Sequence, residues 1–408
     1  MAFLYNLFIH LYHLSIHLTS LLNPKAKQWI TGRKDLFNKL NSTIDPNAPI
    51  AWFHAASLGE FEQGRPVIEA YKKIYPEYKI MLTFFSPSGY NVRKNYEGAD
   101  YIFYLPIDTR KNANRFISLI KPRIVFLIKY EYWYNYLSLL KKKQIPVYNL
   151  SANFRPNQYF FKWYGSWFRK MLKGITHIFV QNKQSKMLLN AYGFNNCTLS
   201  GDTRFDRVYE AAQHKQSFPL IEKFCDGSKV LLAGSSWPED EALFYQLFKE
   251  NISDLKIIIV PHEVHQEHIN TIIGNLNNNY IKYSELTEEI ANPAQVLIID
   301  TIGILLHLYQ YATIAYIGGG FGKGIHNILE AATFGKPVIF GPNYQKFEEA
   351  KSLIDLEGAF SVKNYSELKS KLNELLNDPN YYHKVSETCR NFILKNRGAT
   401  ERILGFIG

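Results

Sequence analysis

Short apolar segments alternate with amphipathic segments of helical length along this chain of 408 residues. In the first half, the apolar segments have strand length and cover residues 51–55, 79–85, 101–105, 124–128, 147–150 and 177–180. The residues between them, such as 63–75, show the apolar spacing of a helix. Strands that alternate with helices form a parallel sheet with helices on its faces. The first half is therefore predicted to be an α/β domain.

The second half repeats the pattern, with strand candidates at 229–233, 256–260, 296–299, 314–317 and 337–340. Its helix candidates lie at 239–250, 325–334 and 366–376. A chain of this length has room for two domains. We predict two Rossmann-like, doubly wound domains, 23–210 and 211–408, preceded by a helix at 1–22. Ligands bind at the carboxyl ends of the strands in such sheets, so the two domains are expected to face a central cleft.

Charge is distributed unevenly between the two halves. Residues 1–200 contain 27 Lys and Arg against 10 Asp and Glu, whereas residues 201–408 contain 20 against 26. A cationic first half favours a polyanionic partner: nucleic acid, an anionic membrane or a phosphorylated substrate. The three cysteines are far apart, which argues against a disulfide scaffold or a zinc site and fits a reducing compartment.

The first 22 residues contain no Asp, Glu, Lys or Arg. Polar side chains recur there at steps of three and four, so they share one stripe of a helix: Asn6, His10, His13, His17 and Ser20. Apolar side chains lie elsewhere on its surface, among them Leu4, Phe8, Leu11 and Leu18. Basic residues follow at Lys25, Lys27, Arg33 and Lys34. We predict an amphipathic helix in a membrane interface, with a spanning helix or a helix docked on the protein as alternatives.

A glycine-rich loop follows the strand candidate 314–317. Gly318, Gly319 and Gly320 would let the backbone approach a ligand closely, and the predicted helix after them would offer free N–H groups to a phosphate. The loop is not a Walker A motif, because no Ser or Thr follows Lys323. On the predicted helix, Asn327 and Glu330 share one face, where a carboxylate could accept ribose hydroxyls. A plain glycine turn with a capping Asn is the alternative.

Two carboxylates are predicted at the carboxyl ends of strands in the first half. Glu60 follows the strand candidate 51–55 at the start of a helix, and Glu131 follows 124–128. Each has a structural alternative, since Glu60 could stabilise the helix dipole and Glu131 could be a solvated loop charge. Arg204 lies near the domain boundary and could enter the cleft or form an interdomain ion pair.

Two further segments carry chemistry-bearing side chains. Residues 159–170 interleave aromatic and cationic residues, which suits acyl chains and phosphates, nucleic-acid bases, or a buried aromatic helix face. Residues 261–265 contain two His and one Glu, but their spacing is not that of a known metal site. We therefore expect no metal ion or cofactor.

Residues 52–60 resemble the W-x-H-A-A-S-x-G-E signature of the 3-deoxy-D-manno-octulosonic acid (Kdo) transferases, glycosyltransferase family 30. Residues 131–133 are similar to the family's E-x-W, 201–206 to G-x-x-K-F-D, and 326–330 to H-N-x-L-E. Further matches follow in order at 84–89, 104–108, 151–153, 234–236 and 300–303. The resemblance covers nearly the whole chain.

The resemblance implies a GT-B fold and an inverting transfer of Kdo from CMP-Kdo to a lipid A precursor, lipid IVA. It implies that Glu60 is the general base and that Glu131 and Arg204 stabilise the transition state. The residues implied in binding CMP, together with two glycines of the loop, are Pro261, His262, Ile302, Gly303, Ile304, Gly319, Gly320, Asn327, Ile328, Leu329 and Glu330. It also implies a place on the cytoplasmic side of the inner membrane, against an anionic surface and without nucleic acid.

Three positions depart from the family pattern. Arg204 stands where Lys is usual and keeps the charge. Pro261-His262-Glu263 replaces Pro-Arg-His and so loses a permanent cation, and Ile304 replaces Glu. Two alternatives stay open: a GT-B transferase with another nucleotide sugar and lipid, or a non-catalytic protein that binds membrane or nucleic acid.

Overall fold

The computed structural model describes residues 1–214, 216–250, 255–276, 279–287 and 294–408. The chain divides into two compact units. Unit 1 comprises Met1–Arg207 and Arg397–Gly408, and unit 2 comprises Val208–Asn396. The last twelve residues thus belong with unit 1, whereas the sequence analysis placed them in the second domain.

Unit 1 contains a parallel sheet of seven strands in the order β3-β2-β1-β4-β5-β6-β7. The strands are β1 (Ile50–Ala55), β2 (Lys79–Phe84), β3 (Tyr101–Tyr104), β4 (Pro122–Ile128), β5 (Val147–Ala152), β6 (His177–Val180) and β7 (Cys197–Leu199). Successive residues of β1 serve opposite faces of the sheet, as the two-residue period of a strand requires. Trp52 belongs to the apolar cluster on one face and Phe53 to the cluster on the other. The predicted parallel sheet is confirmed.

Helices cover both faces of this sheet. They are α1 (Ala2–Thr19), α2 (Pro24–Thr31), α3 (Leu36–Thr43), α4 (Leu58–Ile74), α5 (Pro87–Arg93), α6 (Arg110–Ile120), α7 (Tyr134–Lys142), α8 (Ser166–Leu172), α9 (Lys183–Ala191) and α10 (Thr203–Gln213). The C-terminal helix of the chain also belongs here because Ile403 and Leu404 are buried in the cluster that contains Phe53. In addition, Asp206 accepts hydrogen bonds from the backbone N–H groups of Gly398 and Thr400.

Unit 2 contains a second parallel sheet of seven strands, in the order β10-β11-β9-β8-β12-β13-β14. The strands are β8 (Lys229–Ser236), β9 (Leu255–Pro261), β10 (Tyr280–Lys282), β11 (Val296–Ile298), β12 (Ile314–Ile317), β13 (Val338–Phe340) and β14 (Ala359–Ser361). The helices of this unit are α11 (Pro219–Cys225), α12 (Pro238–Lys249), α13 (Gln266–Gly274), α14 (Leu305–Leu308), α15 (Leu329–Thr333), α16 (Glu348–Asp355), α17 (Tyr365–Asn377) and α18 (Pro379–Asn396). The C-terminal helix of unit 1 is α19 (Ala399–Ile407). The two predicted Rossmann-like domains are therefore present.

The helix predicted at 325–334 is wrong in its first part, because α15 begins only at Leu329. The side chain of Asn327 accepts a hydrogen bond from the backbone N–H of Leu329, at 3.2 Å. A side chain that bonds the backbone locally competes with helix formation, so the helix starts after Asn327.

The α1 helix packs on unit 1 through one face. The Tyr5 hydroxyl donates to Asp108 Oδ2 over 2.6 Å, and Asn135 Nδ2 donates to Asn6 Oδ1 over 3.0 Å. Ile9 is buried beside Trp29. The predicted polar stripe is therefore not wholly on the outside. No helix among the described residues is both long and apolar enough to cross a membrane.

The outward face of α1 is apolar, as predicted for Leu4, Phe8, Leu11 and Leu18, which are more than half exposed. Among the basic residues that follow, Lys25, Lys27 and Lys34 are exposed. Arg33 is not part of this surface. Its guanidinium lies 3.7 Å from the Trp29 ring centroid and donates to backbone carbonyls, because burial among aromatic rings leaves no water to solvate it.

Candidate functional site

At the carboxyl ends of the strands of unit 1, the structure brings Glu60 and Glu131 together. Glu60 lies in the first turn of α4, where its Oε2 accepts a hydrogen bond of 2.7 Å from the backbone N–H of Ala56. This bond fixes the carboxylate at the turn between β1 and α4.

Glu131 follows β4 and is only 7% exposed. Its Oε2 accepts two hydrogen bonds, from His54 Nε2 at 2.9 Å and from Trp133 Nε1 at 2.8 Å. A buried carboxylate is stable only where donors replace the lost water, and these two donors do so. The alternative of a solvated loop charge is therefore wrong for Glu131.

The environment raises the pKa of Glu60 above the ordinary value of a Glu side chain. Burial is the main cause, and the negative charge of Glu131 is the second. The Ala56 N–H, His54 and Lys129 act in the opposite direction. A carboxylate with a raised pKa is a stronger proton acceptor, which is what a general base requires.

Arg204 lies at the start of α10, in unit 1. Its Nε and Nη2 donate to Asp202 Oδ2 at 2.9 and 2.7 Å, and its backbone N–H donates to Oδ1 of the same carboxylate. About a quarter of the Arg204 side chain is exposed. The pairing with Asp202 holds the guanidinium in place and partly neutralises it.

In unit 2, the glycine loop follows β12. An added Cβ at Gly318 would lie 2.2 Å from the carbonyl oxygen of Ser235, and one at Gly320 would lie 2.5 Å from the backbone nitrogen of Gly341. These two glycines therefore allow close packing of neighbouring chain segments. The expectation that the loop also approaches a ligand stays a prediction. Gly319 differs, since its φ of +89° requires glycine in its own right.

This packing predicts that Gly320→Ala lowers the free energy of unfolding by about 1–3 kcal/mol, the typical cost of overpacking. Gly322→Ala is the matched control in the same loop, because its Cβ would meet its nearest atom at 3.7 Å. Urea unfolding of the two variants measures the difference. Equal stabilities would contradict the packing role.

The sequence analysis missed Asp240, which anchors the glycine loop. This residue of α12 is fully buried and accepts hydrogen bonds from the Gly319 N–H at 2.8 Å, the Tyr316 hydroxyl at 2.8 Å and the Trp237 N–H at 3.0 Å. Burial raises its pKa, and these donors oppose that rise. The sequence does not single out Asp240, because it is one of three acidic residues in the first turn of α12. Acidic residues are common there, since they stabilise the positive end of the helix dipole.

His262 follows β9 and stacks between two aromatic side chains. Its ring centroid lies 4.8 Å from that of Trp237 and 4.2 Å from that of His326. Trp237 Nε1 donates to His326 Nε2 at 3.0 Å, so this nitrogen of His326 carries no proton. Burial, assisted by His262, lowers the pKa of His326 to about 4. The stack presents aromatic rings at the ends of three neighbouring strands, a surface that suits a nucleobase.

The other residues expected to bind the nucleotide lie near the same edge of unit 2. Pro261 ends β9, and Ile302, Gly303 and Ile304 follow β11, with Ile302 80% exposed. Asn327 Nδ2 donates to Glu330 Oε1 at 3.0 Å. Asn327 thus combines the predicted capping role with a contact to the carboxylate. Ile328 and Leu329 are buried and pack α15 onto the unit, so any contact they make with a ligand is through the backbone.

The aromatic segment 159–170 is mixed in character. Phe160 and Phe161 are buried, as the structural alternative predicted, whereas Trp163 is 93% exposed.

Residues 261–265 contain His and Glu side chains that were considered as ligands of a metal ion. The described part of the chain contains no group of three or more His, Cys, Asp or Glu side chains placed to hold an ion.

Comparison with known proteins identifies relatives of this chain. A family model described as 3-deoxy-D-manno-octulosonic-acid transferase matches residues 31–207. A 3-deoxy-D-manno-octulosonic acid transferase of Aquifex aeolicus is 30% identical over 332 residues, which cover 80% of this chain and 85% of the relative. The Haemophilus influenzae transferase of the same name is 25% identical over 406 residues, covering 96% and 93%.

Solved structures share the fold at low sequence identity. A UDP-GlcNAc 2-epimerase from Neisseria meningitidis superimposes with a TM-score of 0.61 at 16% identity, covering 88% of this chain and 99% of that one. A glycosyltransferase from Rickettsia africae gives a TM-score of 0.58, also at 16% identity, covering 88% and 98%. The predicted GT-B architecture is confirmed at the level of fold.

Proposed function

Because the chain belongs to the 3-deoxy-D-manno-octulosonic acid transferase family, we propose that it transfers Kdo from CMP-Kdo to the lipid A precursor lipid IVA, with inversion. The observation that carries this proposal is the pair of carboxylates at the carboxyl ends of the strands of unit 1, Glu131 buried and Glu60 partly buried. One of them, Glu60, has its pKa raised by burial and by the charge of the other. Such a pair supplies a base and a fixed negative charge at one place.

In the proposed reaction, Glu60 removes the proton of an acceptor hydroxyl. The acceptor oxygen forms a bond to the anomeric carbon of Kdo while the bond from that carbon to the CMP phosphate oxygen breaks. Positive charge develops on the sugar ring as the leaving group departs, as in other glycosyl transfers. Glu131 is the group we assign to this positive charge, and Arg204 to the negative charge on the departing phosphate.

Unit 2 supplies the groups proposed for the CMP moiety. The stack of Trp237, His262 and His326 offers a face for cytosine, and the Glu330 carboxylate is a candidate acceptor for ribose hydroxyls. The family's permanent cation is absent at His262, so this chain relies more on stacking at that position.

Donor choice tests the proposal directly. Purified protein and a tetraacylated, bisphosphorylated disaccharide are incubated in parallel with CMP-Kdo and with UDP-sugars, and release of each nucleotide is measured. We expect acceptor-dependent release of CMP alone. Release of UDP, or release of CMP that does not depend on the acceptor, would contradict the proposal.

The proposed chemistry uses side chains of the chain and no metal ion. Addition of EDTA, followed by gel filtration, is therefore expected to leave the rate of CMP release within about twofold of the untreated enzyme. A control in which Mg²⁺ is restored separates loss of a metal from damage by the chelator. If EDTA lowers the rate of CMP release by more than about tenfold and Mg²⁺ restores it, the reaction needs a metal ion and the proposed chemistry is contradicted.

We further propose that the outward face of α1 binds the cytoplasmic surface of the inner membrane rather than a nucleic acid. This face is apolar and exposed along its whole length; its side chains are Phe3, Leu4, Leu7, Phe8, Leu11, Leu14 and Leu18. Exposed Lys25, Lys27 and Lys34 follow it. Apolar burial combined with nearby cations is the pattern of a helix in an anionic membrane interface.

This proposal predicts that Leu4, Phe8 and Leu11 replaced together by Ser weaken binding to anionic vesicles by at least about tenfold, since burial of each such side chain contributes about 1.5–3 kcal/mol. Folding should persist because Tyr5 and Ile9, on the other face, are kept. The matched control is Ile74→Ser with Val92→Ser, both of which are more than half exposed elsewhere on unit 1. Vesicle co-sedimentation measures the effect. A loss of binding in the control as well would argue against a surface centred on α1.

A further inference from the structure

A chain of hydrogen bonds crosses three neighbouring strands of unit 1 and ends at Glu131. Trp52 Nε1 donates to Thr83 Oγ1 at 2.8 Å, and Thr83 Oγ1 lies 2.9 Å from His54 Nδ1. His54 Nε2 lies 2.9 Å from Glu131 Oε2. The strands β2, β1 and β4 are adjacent in the sheet, which is why these side chains meet.

The direction of each hydrogen bond in this chain follows from the chemistry of its members. An indole only donates, so the Thr83 hydroxyl accepts from Trp52. An ionised carboxylate only accepts, so His54 Nε2 carries the proton that faces Glu131. His54 Nδ1 lies 2.9 Å from the Thr83 hydroxyl and 3.0 Å from the Thr83 backbone carbonyl oxygen, so both ring nitrogens are held by partners.

His54 is fully buried and cannot contact a substrate from its place in β1. Its donor and that of Trp133 both bind Oε2 of Glu131, so within the described residues Oε1 has no hydrogen-bond donor. One oxygen of the carboxylate is thus anchored, and the other is left for reacting groups.

We propose that His54 is a positioning residue that acts on Kdo transfer through Glu131. The contacts with Thr83 hold the His54 ring in place, and His54 in turn fixes the orientation of the Glu131 carboxylate. The proposal rests on the proposed function, since it assumes that Glu131 takes part in the transfer. A carboxylate displaced by about 1 Å can lower a rate by about 10²-fold, so loss of the anchor has a large effect on turnover.

Two substitutions of His54 separate its two nitrogens. In His54→Gln the amide nitrogen reaches the place of Nε2 and can still donate to Glu131, whereas in His54→Asn it reaches only the place of Nδ1. We expect His54→Asn to lower kcat by about 10- to 100-fold with both KM values within about twofold. His54→Gln should keep at least about a third of kcat. Equal losses in the two variants would overturn the proposal.

A second buried histidine of the same sheet controls for lost stability. His177 of β6 lies 2.9 Å from the Thr198 hydroxyl but has no contact with Glu131 in the described chain. His177→Asn should destabilise the fold to a similar degree, measured by thermal unfolding, and keep the kcat of the folded protein. A loss of kcat in His177→Asn equal to that in His54→Asn would assign both effects to stability and contradict the positioning role.

Coupling to Glu131 is tested by a double-mutant cycle. In a Glu131→Gln background, adding His54→Asn should lower kcat by less than about twofold; a full further loss would contradict action through Glu131. The ¹⁵N spectrum of the His54 ring is a readout that does not need activity, and we expect a proton on Nε2. A wild-type protein that carries this proton but transfers no Kdo contradicts the proposed function, whereas a protein that transfers Kdo with no proton on Nε2 contradicts the positioning role.

Discussion

Replacement of Glu60 by Gln is expected to lower kcat by about 10²–10⁴-fold and to leave CMP affinity and the fold unchanged, since general-base catalysis contributes rate factors of this size. Gln keeps the shape of the side chain, and its amide oxygen can still accept the hydrogen bond of the Ala56 N–H. It cannot take the proton of the acceptor hydroxyl. The measurement is kcat for CMP release, together with the dissociation constant of CMP. Glu62→Gln, two residues later in α4, is the matched control.

The pH profile of the wild-type enzyme gives a second view of Glu60. A base works only when deprotonated, and burial and the charge of Glu131 raise its pKa. The activity is therefore expected to fall as the pH decreases through a value above about 4.3, the ordinary pKa of a Glu side chain. Removing the charge of Glu131 should move this fall to lower pH. Tyr130 and Lys129 also lie within electrostatic reach of Glu60 and stay unchanged in this comparison. A Glu60→Gln variant that keeps more than about a third of the wild-type kcat would contradict the assignment of Glu60 as the general base.

Replacement of Arg204 by Ala is expected to lower kcat by about 10²–10³-fold, the typical loss when one group that stabilises transition-state charge is removed. The donor KM should change much less, because the charge on the phosphate oxygen increases only as the bond breaks. Steady-state kinetics with varied CMP-Kdo measure both constants.

Two variants sharpen this test. Arg204→Lys keeps the charge and matches the residue usual in the family, so it should recover most of the lost kcat. Asp202→Asn removes the partner that holds the guanidinium at 2.7–2.9 Å and should lower kcat by less than Arg204→Ala does. An effect confined to the donor KM would place Arg204 in ground-state binding instead.

The central strands of both sheets could be predicted from the sequence, and the missed strands share a physical cause. Cys197–Leu199, Tyr280–Lys282 and Ala359–Ser361 have three residues each and lie at the edges of the sheets. A central strand is buried on both faces and between two neighbours, so it needs a continuous apolar run. An edge strand of three residues needs no such run, and its sequence resembles that of a loop.

The positions of the two carboxylates could be predicted, but their supporting residues could not. Glu60 and Glu131 follow apolar runs, which places them at strand ends. His54 lies inside such a run, where a histidine reads as an ordinary core residue. Only the order of strands brings it to Thr83 and Glu131, which are 29 and 77 residues away in the chain. His54 is two residues after Trp52, so the sequence indicates only that both side chains lie on the same face of the strand.

The helical spacing of the N-terminal segment was predicted correctly, but the surroundings of its polar face were not. The stripe of Asn6, His10 and His13 has helical spacing, and it predicted an amphipathic helix in a membrane interface, with docking on the protein as an alternative. The structure uses part of that stripe to dock on unit 1, through Asn6 and Asn135. A periodic pattern identifies which side chains share a face, but it does not identify what covers that face.

The mass of the product tests the proposed transfer of Kdo to lipid IVA most directly. The purified protein is incubated with CMP-Kdo and lipid IVA, and the lipid fraction is analysed by mass spectrometry, with the Glu60→Gln protein as the matched negative control. We expect that lipid IVA gains the mass of one or more Kdo residues with the wild-type protein and gains none at the same time point with the variant. Unmodified lipid IVA after incubation with a folded wild-type protein, or equal modification by the variant, would contradict it.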